Sequence, residues 1–382
     1  MQTSIPCTMM RGGTSRGPYF LANDLPRDWE TQKQVLLSAM GSCTGQQIDG
    51  IGGATSLTSK AAIISVSDSP EADIDYLFAQ VSIDDMSVDT APSCGNILSG
   101  AAPFAIESGL VRAQLGETLV RVRNLNTNSF IHVLVQTPDG FVNYEGETQI
   151  DGVEGSAAPV MLNFLNVAGT KTGKLFPTGQ LKEVILGVEV SCIDAAMPMV
   201  LIPATSLGVK GDESKQTLDM DKNLLARIEA IRLITGKKMG LGDVSDQVIP
   251  KVGLLSAPQQ GGSITSRYFV PHNCHASHSA TGAICVSVCA AIPGTVAEGL
   301  TPIGLDSKLN RSLESRSKGG DKAKQIIIEH PSGRITIALK MTLNQENSEI
   351  HQAGLVRTAR RLFRGDLYVP SRIWTPLKQQ AS

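Results

Sequence analysis

Two segments of this chain share one unusual design. Cys94-Gly95-Asn96 opens onto the apolar, small-residue stretch 97–106, and Ser279-Ala280-Thr281-Gly282 opens onto a second such stretch, 283–292. Each is a polar, glycine-containing turn leading into a helix with little polar face, and a helix of that kind is normally buried. Gly95 and Thr281 stand 186 positions apart in a chain of 382 residues, close to half its length. The pair predicts two similar lobes, at residues 1–180 and 181–382, each built around one buried helix. The final segment is free to return to the first lobe. Pro103 runs against the first helix, because an interior proline removes a hydrogen bond.

The strand signals fit an α+β chain. A short strand at 5–10 runs into a glycine-rich loop at 11–17, and further β-type runs fall at 61–66, 77–83, 119–122 and 130–136. Pro138-Asp139-Gly140 is a turn signal, with 141–144 the expected hairpin partner of 130–136. Leu224, Leu225, Ile228, Ile231 and Ile234 keep a helical period over 221–235, with Gly236 as the stop. Another hairpin is expected at Pro331-Ser332-Gly333, feeding 334–341. The stretch 169–179 reads as the linker between lobes, and 312–324 as a solvated loop or exposed helix.

Composition removes several classes of function. With 34 Lys+Arg against 36 Asp+Glu, the formal charge is −2, which leaves no basic surface for nucleic acid. The longest apolar run, 283–292, is ten residues, about half of what spans a bilayer. The seven cysteines are odd in number and scattered, which fits thiols in a reducing, cytoplasmic compartment. The 37 glycines against 4% aromatics suggest close backbone approaches and few stacking platforms.

Several residues carry candidate chemistry. Lys60 enters an apolar strand behind the flexible run Asp49-Gly50-Ile51-Gly52-Gly53, and desolvation there would favour the neutral amine that a general base needs. For an arbitrary lysine, a snorkelling surface role is more common; the surrounding glycine, serine and threonine argue for a ligand cradle. Cys94 stands at a helix N-terminus, where free N–H groups and the dipole favour a thiolate and bind carboxylates. The bland alternative is a buried structural cysteine. Thr281-Gly282 offers a second anion site of the same kind, and Thr14 with Ser15 a third. Arg267 has the planar fork that clamps a carboxylate.

Three rival motifs are weaker. Gly13-Thr14-Ser15-Arg16-Gly17 matches the G-x-S-x-G elbow, but no helix start follows it. His272, Cys274, His275, His278, Cys285 and Cys289 are metal-ligand types without zinc-knuckle spacing. Gly50-Ile51-Gly52-Gly53 is neither a dinucleotide fingerprint nor a Walker loop.

The chain resembles the 4-oxalomesaconate tautomerases and 2-methylaconitate cis-trans isomerases. The resemblance is carried by residues 9–17, 48–60, 75–80, 94–100, 169–174, 240–243 and 281–283. It implies a diaminopimelate-epimerase-like fold: two pseudo-symmetric lobes, each a β-sheet wrapped around a central helix. The family's catalytic lysine maps onto Lys60 and its cysteine onto Cys94. Diaminopimelate epimerases use two cysteines, and residues 277–282 hold none, which favours the lysine-dependent isomerases.

The implied reaction is a 1,3-allylic proton shift in an unsaturated tricarboxylate, needing no cofactor and no metal. Lys60 would act as acid/base, with Cys94 as its partner or as lining. Amides at Gly95, Asn96, Thr281 and Gly282 would stabilise the enolate and its carboxylates, with Thr14, Ser15, Ser59 and Arg267 as further binding candidates. Leu57 and the run 97–100 favour 4-oxalomesaconate over 2-methylaconitate or aconitate. A non-catalytic carboxylate-binding accessory protein would use the same cradles without Lys60, and a zinc hydrolase would need the His272–Cys289 cluster to converge. The expected partner is a small di- or tricarboxylate, with no nucleic acid and no membrane, and a homodimer as the assembly to test.

Overall fold

The computed structural model describes residues 1–91, 93–270, 272–302, 324–342 and 348–376. The chain forms two compact units, one of Met1–Asn163 with Val356–Ser382, the other of Phe164–Leu355. The first unit therefore ends at Asn163, before the expected boundary near residue 180. The stretch 169–179 belongs wholly to the second unit and is pinned there. The Asp194 carboxylate accepts from Thr170 Oγ1 at 2.7 Å, from the Lys171 and Thr172 amides at 2.7 and 2.8 Å, and from Thr172 Oγ1 at 2.9 Å. A charged acceptor that gathers four donors fixes a loop instead of leaving it a linker.

In the first unit, β1 (Gln2–Gly12) and β2 (Ser15–Leu21) form a hairpin that turns at Gly13-Thr14, with Gly13 at φ +51°. Residues 11–17 are thus mostly strand, not the open loop expected from their glycines. Next come α1 (Trp29–Met40), β3 (Lys60–Val66), β4 (Ile74–Val81) and the short β5 (Val88–Asp89). The run placed at 77–83 is β4, shifted toward the N-terminus. Then follow α2 (Gly95–Glu107), β6 (Gly116–Asn124), β7 (Ser129–Thr137) and β8 (Pro159–Phe164). Gly140 does turn the chain at φ +78°, yet 141–144 is not a strand; the hairpin partner of β7 is β6. Alternation decides this, since Val120 and Val122 face the buried Val133 and Ile131 across the ladder.

The second unit runs β9 (Glu183–Ile185), β10 (Val188–Asp194), β11 (Pro198–Pro203), α3 (Lys215–Met220), α4 (Lys222–Lys238), β12 (Lys251–Ser256), β13 (Ile264–Phe269), α5 (Ala280–Ala291), β14 (Lys324–His330) and β15 (Gly333–Thr342). β14 and β15 are the hairpin expected at Pro331-Ser332-Gly333. Of the segment 312–324, only Lys324 lies within the described residues. A last strand, β16 (Glu349–Pro370), starts against β15 and ends in the first unit against β1. Leu224, Ile228 and Ile231 of the expected α4 period are buried while Ile234 is exposed, and Asp221 caps the helix by accepting from Leu224 N at 2.9 Å. Its expected stop, Gly236, lies inside the helix. A Cβ there would come within 2.5 Å of Val244, so this glycine serves close packing, and the turn comes later at Gly240, φ +79°.

Both units use one pairing sequence: antiparallel, parallel, antiparallel, parallel, antiparallel. It runs β1-β2-β3-β4-β6-β7 in the first and β10-β11-β12-β13-β14-β15 in the second. In each, one apolar helix crosses between the fourth and fifth strands and touches most of its sheet, α2 in the first unit and α5 in the second. Burial of Ile97, Leu98 and Phe104, at about 1.5–3 kcal/mol each, exceeds the roughly 3 kcal/mol that Pro103 costs inside α2. The opposite face of the first sheet packs on α1 and that of the second on α4. No helix among the described residues is long and apolar enough to cross a membrane.

Candidate active site

The pleat decides where Lys60 points. Lys60 pairs with Gln80, Ala62 with Phe78 and Ile64 with Tyr76, and cross-strand partners share a face. The alternate residues Ala61, Ile63, Ala79 and Val81 belong to the core against α1. Lys60 therefore lies on the α2 side of the sheet, where the Tyr76 hydroxyl donates to the Cys94 carbonyl at 3.2 Å. Lys60 is buried, and its Nζ donates to Gln80 Oε1 at 2.6 Å and sits 5.1 Å from the Phe78 ring centroid. Gln80 is itself oriented, donating to the Ser59 carbonyl at 2.8 Å and the Ser56 carbonyl at 3.3 Å. No carboxylate among the described residues pairs with Lys60.

Cys94 is the residue before α2 and makes no side-chain cap, so the first amides of that helix are not taken by it. The helix end is fixed from beneath. Tyr19 is fully buried and its hydroxyl donates to the Ile97 carbonyl, while Ser99 Oγ donates to the Asn96 carbonyl at 2.7 Å. A Cβ on Gly100 would stand 2.4 Å from that tyrosine oxygen, so α2 can lie this close only because position 100 is glycine. Asn96 Nδ2 donates to Thr14 Oγ1 at 2.9 Å, which joins the hairpin turn to the helix end. Ser15 shares the face of Gly12, its cross-strand partner, which abuts Asn96. Its Oγ is buried without any hydrogen bond. Such an orphaned hydroxyl costs about 1–3 kcal/mol unless a ligand satisfies it.

Sequence reading missed Arg357. It lies on the returning strand β16, and its Nε donates to Asn96 Oδ1 at 3.1 Å. Burial pushes this guanidinium down to about 10, and the neighbouring Cys94 works in the opposite direction. No acid among the described residues pairs with it. Nothing local marks it in sequence, because its partner is 261 positions away.

Two candidates have hydrogen-bond partners within the fold. Ser59 is on the α1 side of its strand, donating to the Val81 carbonyl at 2.9 Å and accepting from Gln47 Nε2 at 2.8 Å. Arg267 spends its fork on backbone carbonyls, Nε to Glu213 at 2.8 Å and an Nη to Asp212 at 2.7 Å. Its neighbours Ser266 and Tyr268 point to the other face, toward His278.

In the second unit, α5 starts at Ala280, so Thr281 and Gly282 lie within its first turn and not before the helix. The Gly282 amide donates to Ser279 Oγ at 3.0 Å and is not free for a ligand; Thr281 Oγ1 donates to Met197 Sδ at 3.3 Å. His278 hydrogen-bonds at the turn before α5. That ring's Nδ1 faces the Ser279 carbonyl at 3.0 Å, which requires an N–H there, leaving Nε2 to accept from Ser266 Oγ at 3.1 Å. Burial pushes His278 down to about 3, so it is neutral at pH 7. The expected metal-type cluster is dispersed: Cys274 Sγ contacts the His275 carbonyl and Cys285 Sγ the Ile193 carbonyl. No group of three metal-ligand side chains gathers among the described residues.

Two repeats, each a sheet around one central helix with a polar N-terminus, have the build of a diaminopimelate-epimerase-like isomerase. The chain belongs to the PrpF family: the family described as PrpF protein matches residues 2–370. It is 51% identical to YbhH of Escherichia coli (strain K12) over 96% of this chain and 99% of that protein. It is 48% identical to the 4-oxalomesaconate tautomerase of Pseudomonas putida (strain KT2440), over 98% of both. The crystal structure of a methylitaconate-delta-isomerase matches with a TM-score of 0.82 at 32% identity, covering 100% of this chain and 99% of that one. The fold is that of the diaminopimelate epimerases, and the chain is an isomerase.

Proposed function

We propose that this isomerase moves a double bond by a 1,3-proton transfer in an unsaturated tricarboxylate, with 4-oxalomesaconate as the substrate. The observation that carries the reading is Lys60, buried, free of any described acid, on the same sheet face as the tyrosine that holds the Cys94 carbonyl. The Lys60 amine removes a proton from carbon beside a carbonyl; the C–H bond breaks, an N–H bond forms, and the electron pair delocalises into an extended enolate. A proton then returns at the far end of the three-carbon unit, so atoms and charge balance without net redox change. The amides of Gly95 and Asn96, the orphaned Ser15 hydroxyl and the Arg357 guanidinium face developing negative charge. Cys94 stands at this end of α2 and is the candidate for a second proton carrier.

The 48% identity to a protein named 4-oxalomesaconate tautomerase supports the substrate. Seven free cysteines support a reducing, cytoplasmic setting. The test is incubation with 4-oxalomesaconate, 2-methylaconitate and cis-aconitate in deuterium oxide, followed by NMR. Turnover of 4-oxalomesaconate with deuterium at the newly formed C–H is expected. Isomerisation of none of the three would overturn the reading, and preference for 2-methylaconitate or cis-aconitate would overturn the substrate.

A further inference from the structure

In the second unit, β12 holds the place that β3 holds in the first, third in the shared run of pairings, and each of these strands begins with a lysine. Lys251 is thus the internal counterpart of Lys60. Its orientation follows from the ladder. Lys251 pairs with Met199, and Gly253, two residues on, pairs with Tyr268. Val252 and Leu254 turn into the core against α4, so Lys251 is on the other side, with Tyr268, His278 and the start of α5.

Lys251 is 8% exposed, and its side chain makes no hydrogen bond or ion pair with any described residue. The charge that acts on it is also cationic: Arg232 of α4, itself paired with Glu229. His275, which packs on the Tyr268 ring, feels the Lys251 charge. Burial, reinforced by Arg232, pushes Lys251 down to about 8. A buried ammonium without a counter-charge is costly, and an anionic ligand removes that cost. On the same side, the Gly282 and Ala283 amides are satisfied by Ser279, leaving those of Ala280 and Thr281 at the α5 N-terminus.

We infer that Lys251 is a carboxylate-binding residue within the second unit. This inference does not depend on the reaction proposed above.

The test is calorimetric titration with tricarballylate, a saturated tricarboxylate that cannot be isomerised, on the wild-type protein and on Lys251→Met, Lys251→Gln and Lys251→Arg. The neutral variants should weaken binding by roughly tenfold or more, and the arginine should restore it to within about threefold. Wild-type affinity in both neutral variants, equal loss in all three variants, or no binding of tricarballylate to the wild type would overturn the inference. If the wild type isomerises none of the three unsaturated acids but its tricarballylate affinity still depends on charge at 251, the reaction fails and the inference stands.

Discussion

Lys60 and Gln80 are directly opposed across β3 and β4, and the lysine Nζ donates to the amide oxygen at 2.6 Å. Gln80 supplies an acceptor without supplying a charge. Gln80→Glu puts a carboxylate at that distance and holds the lysine as an ammonium. Turnover at pH 7 should fall by roughly 100-fold, with activity recovering toward higher pH, while Gln80→Ala should cost less. The pH–rate profiles of the two variants check this.

Arg357 couples the α2 end to the returning strand through Asn96. Arg357→Met removes a cation that no described acid balances, so the folded protein should keep or gain stability. Substrate binding should weaken by about tenfold, and Arg357→Lys should recover only part of it, because an ammonium does not reproduce the fork. Urea unfolding and steady-state kinetics on the same preparations separate the two effects.

Gly100 and Tyr19 should be strongly coupled. Gly100→Ala drives a methyl against the tyrosine oxygen and should cost about 1–3 kcal/mol. Tyr19→Phe loses the bond to the Ile97 carbonyl, worth about 1 kcal/mol, yet makes room for the methyl. The double variant should therefore be less destabilised than the sum of the singles, as measured by a double-mutant cycle.

His278 should give the protein an acid-sensitive limb. Its folded value, about 3, lies below the ordinary 6.5, so between these the unfolded chain binds the extra proton. Stability then rises with pH through this window, and is lost as pH falls from about 6.5 toward 3. His278→Gln should flatten this slope in urea titrations at successive pH values.

The two lobes were legible because small-residue apolar helices behind polar turns have few other fates. The positions of Lys60 at a strand start and of Cys94 at a helix N-terminus were legible from local context: glycine before a strand, and a polar turn before a helix. What escaped was decided across strands. Ser59 and Lys60 are adjacent in sequence, but the ladder sends one to α1 and the other toward α2, and only the register says which. Arg267 looked like a carboxylate clamp until the 212–213 carbonyls claimed its fork. The β6–β7 hairpin was misread because the turn at Gly140 is real but leads out of the sheet. Gly100, and Gly236 that was read as a helix stop, serve close packing instead.

The central claim is that Lys60 moves the proton. Lys60→Met keeps the length of the side chain and removes the amine. Turnover of 4-oxalomesaconate by this variant should fall by about 10³-fold or more, with tricarballylate affinity within about threefold of wild type. Turnover within about tenfold of wild type would contradict the account, since general acid–base catalysis by this residue is worth more than that.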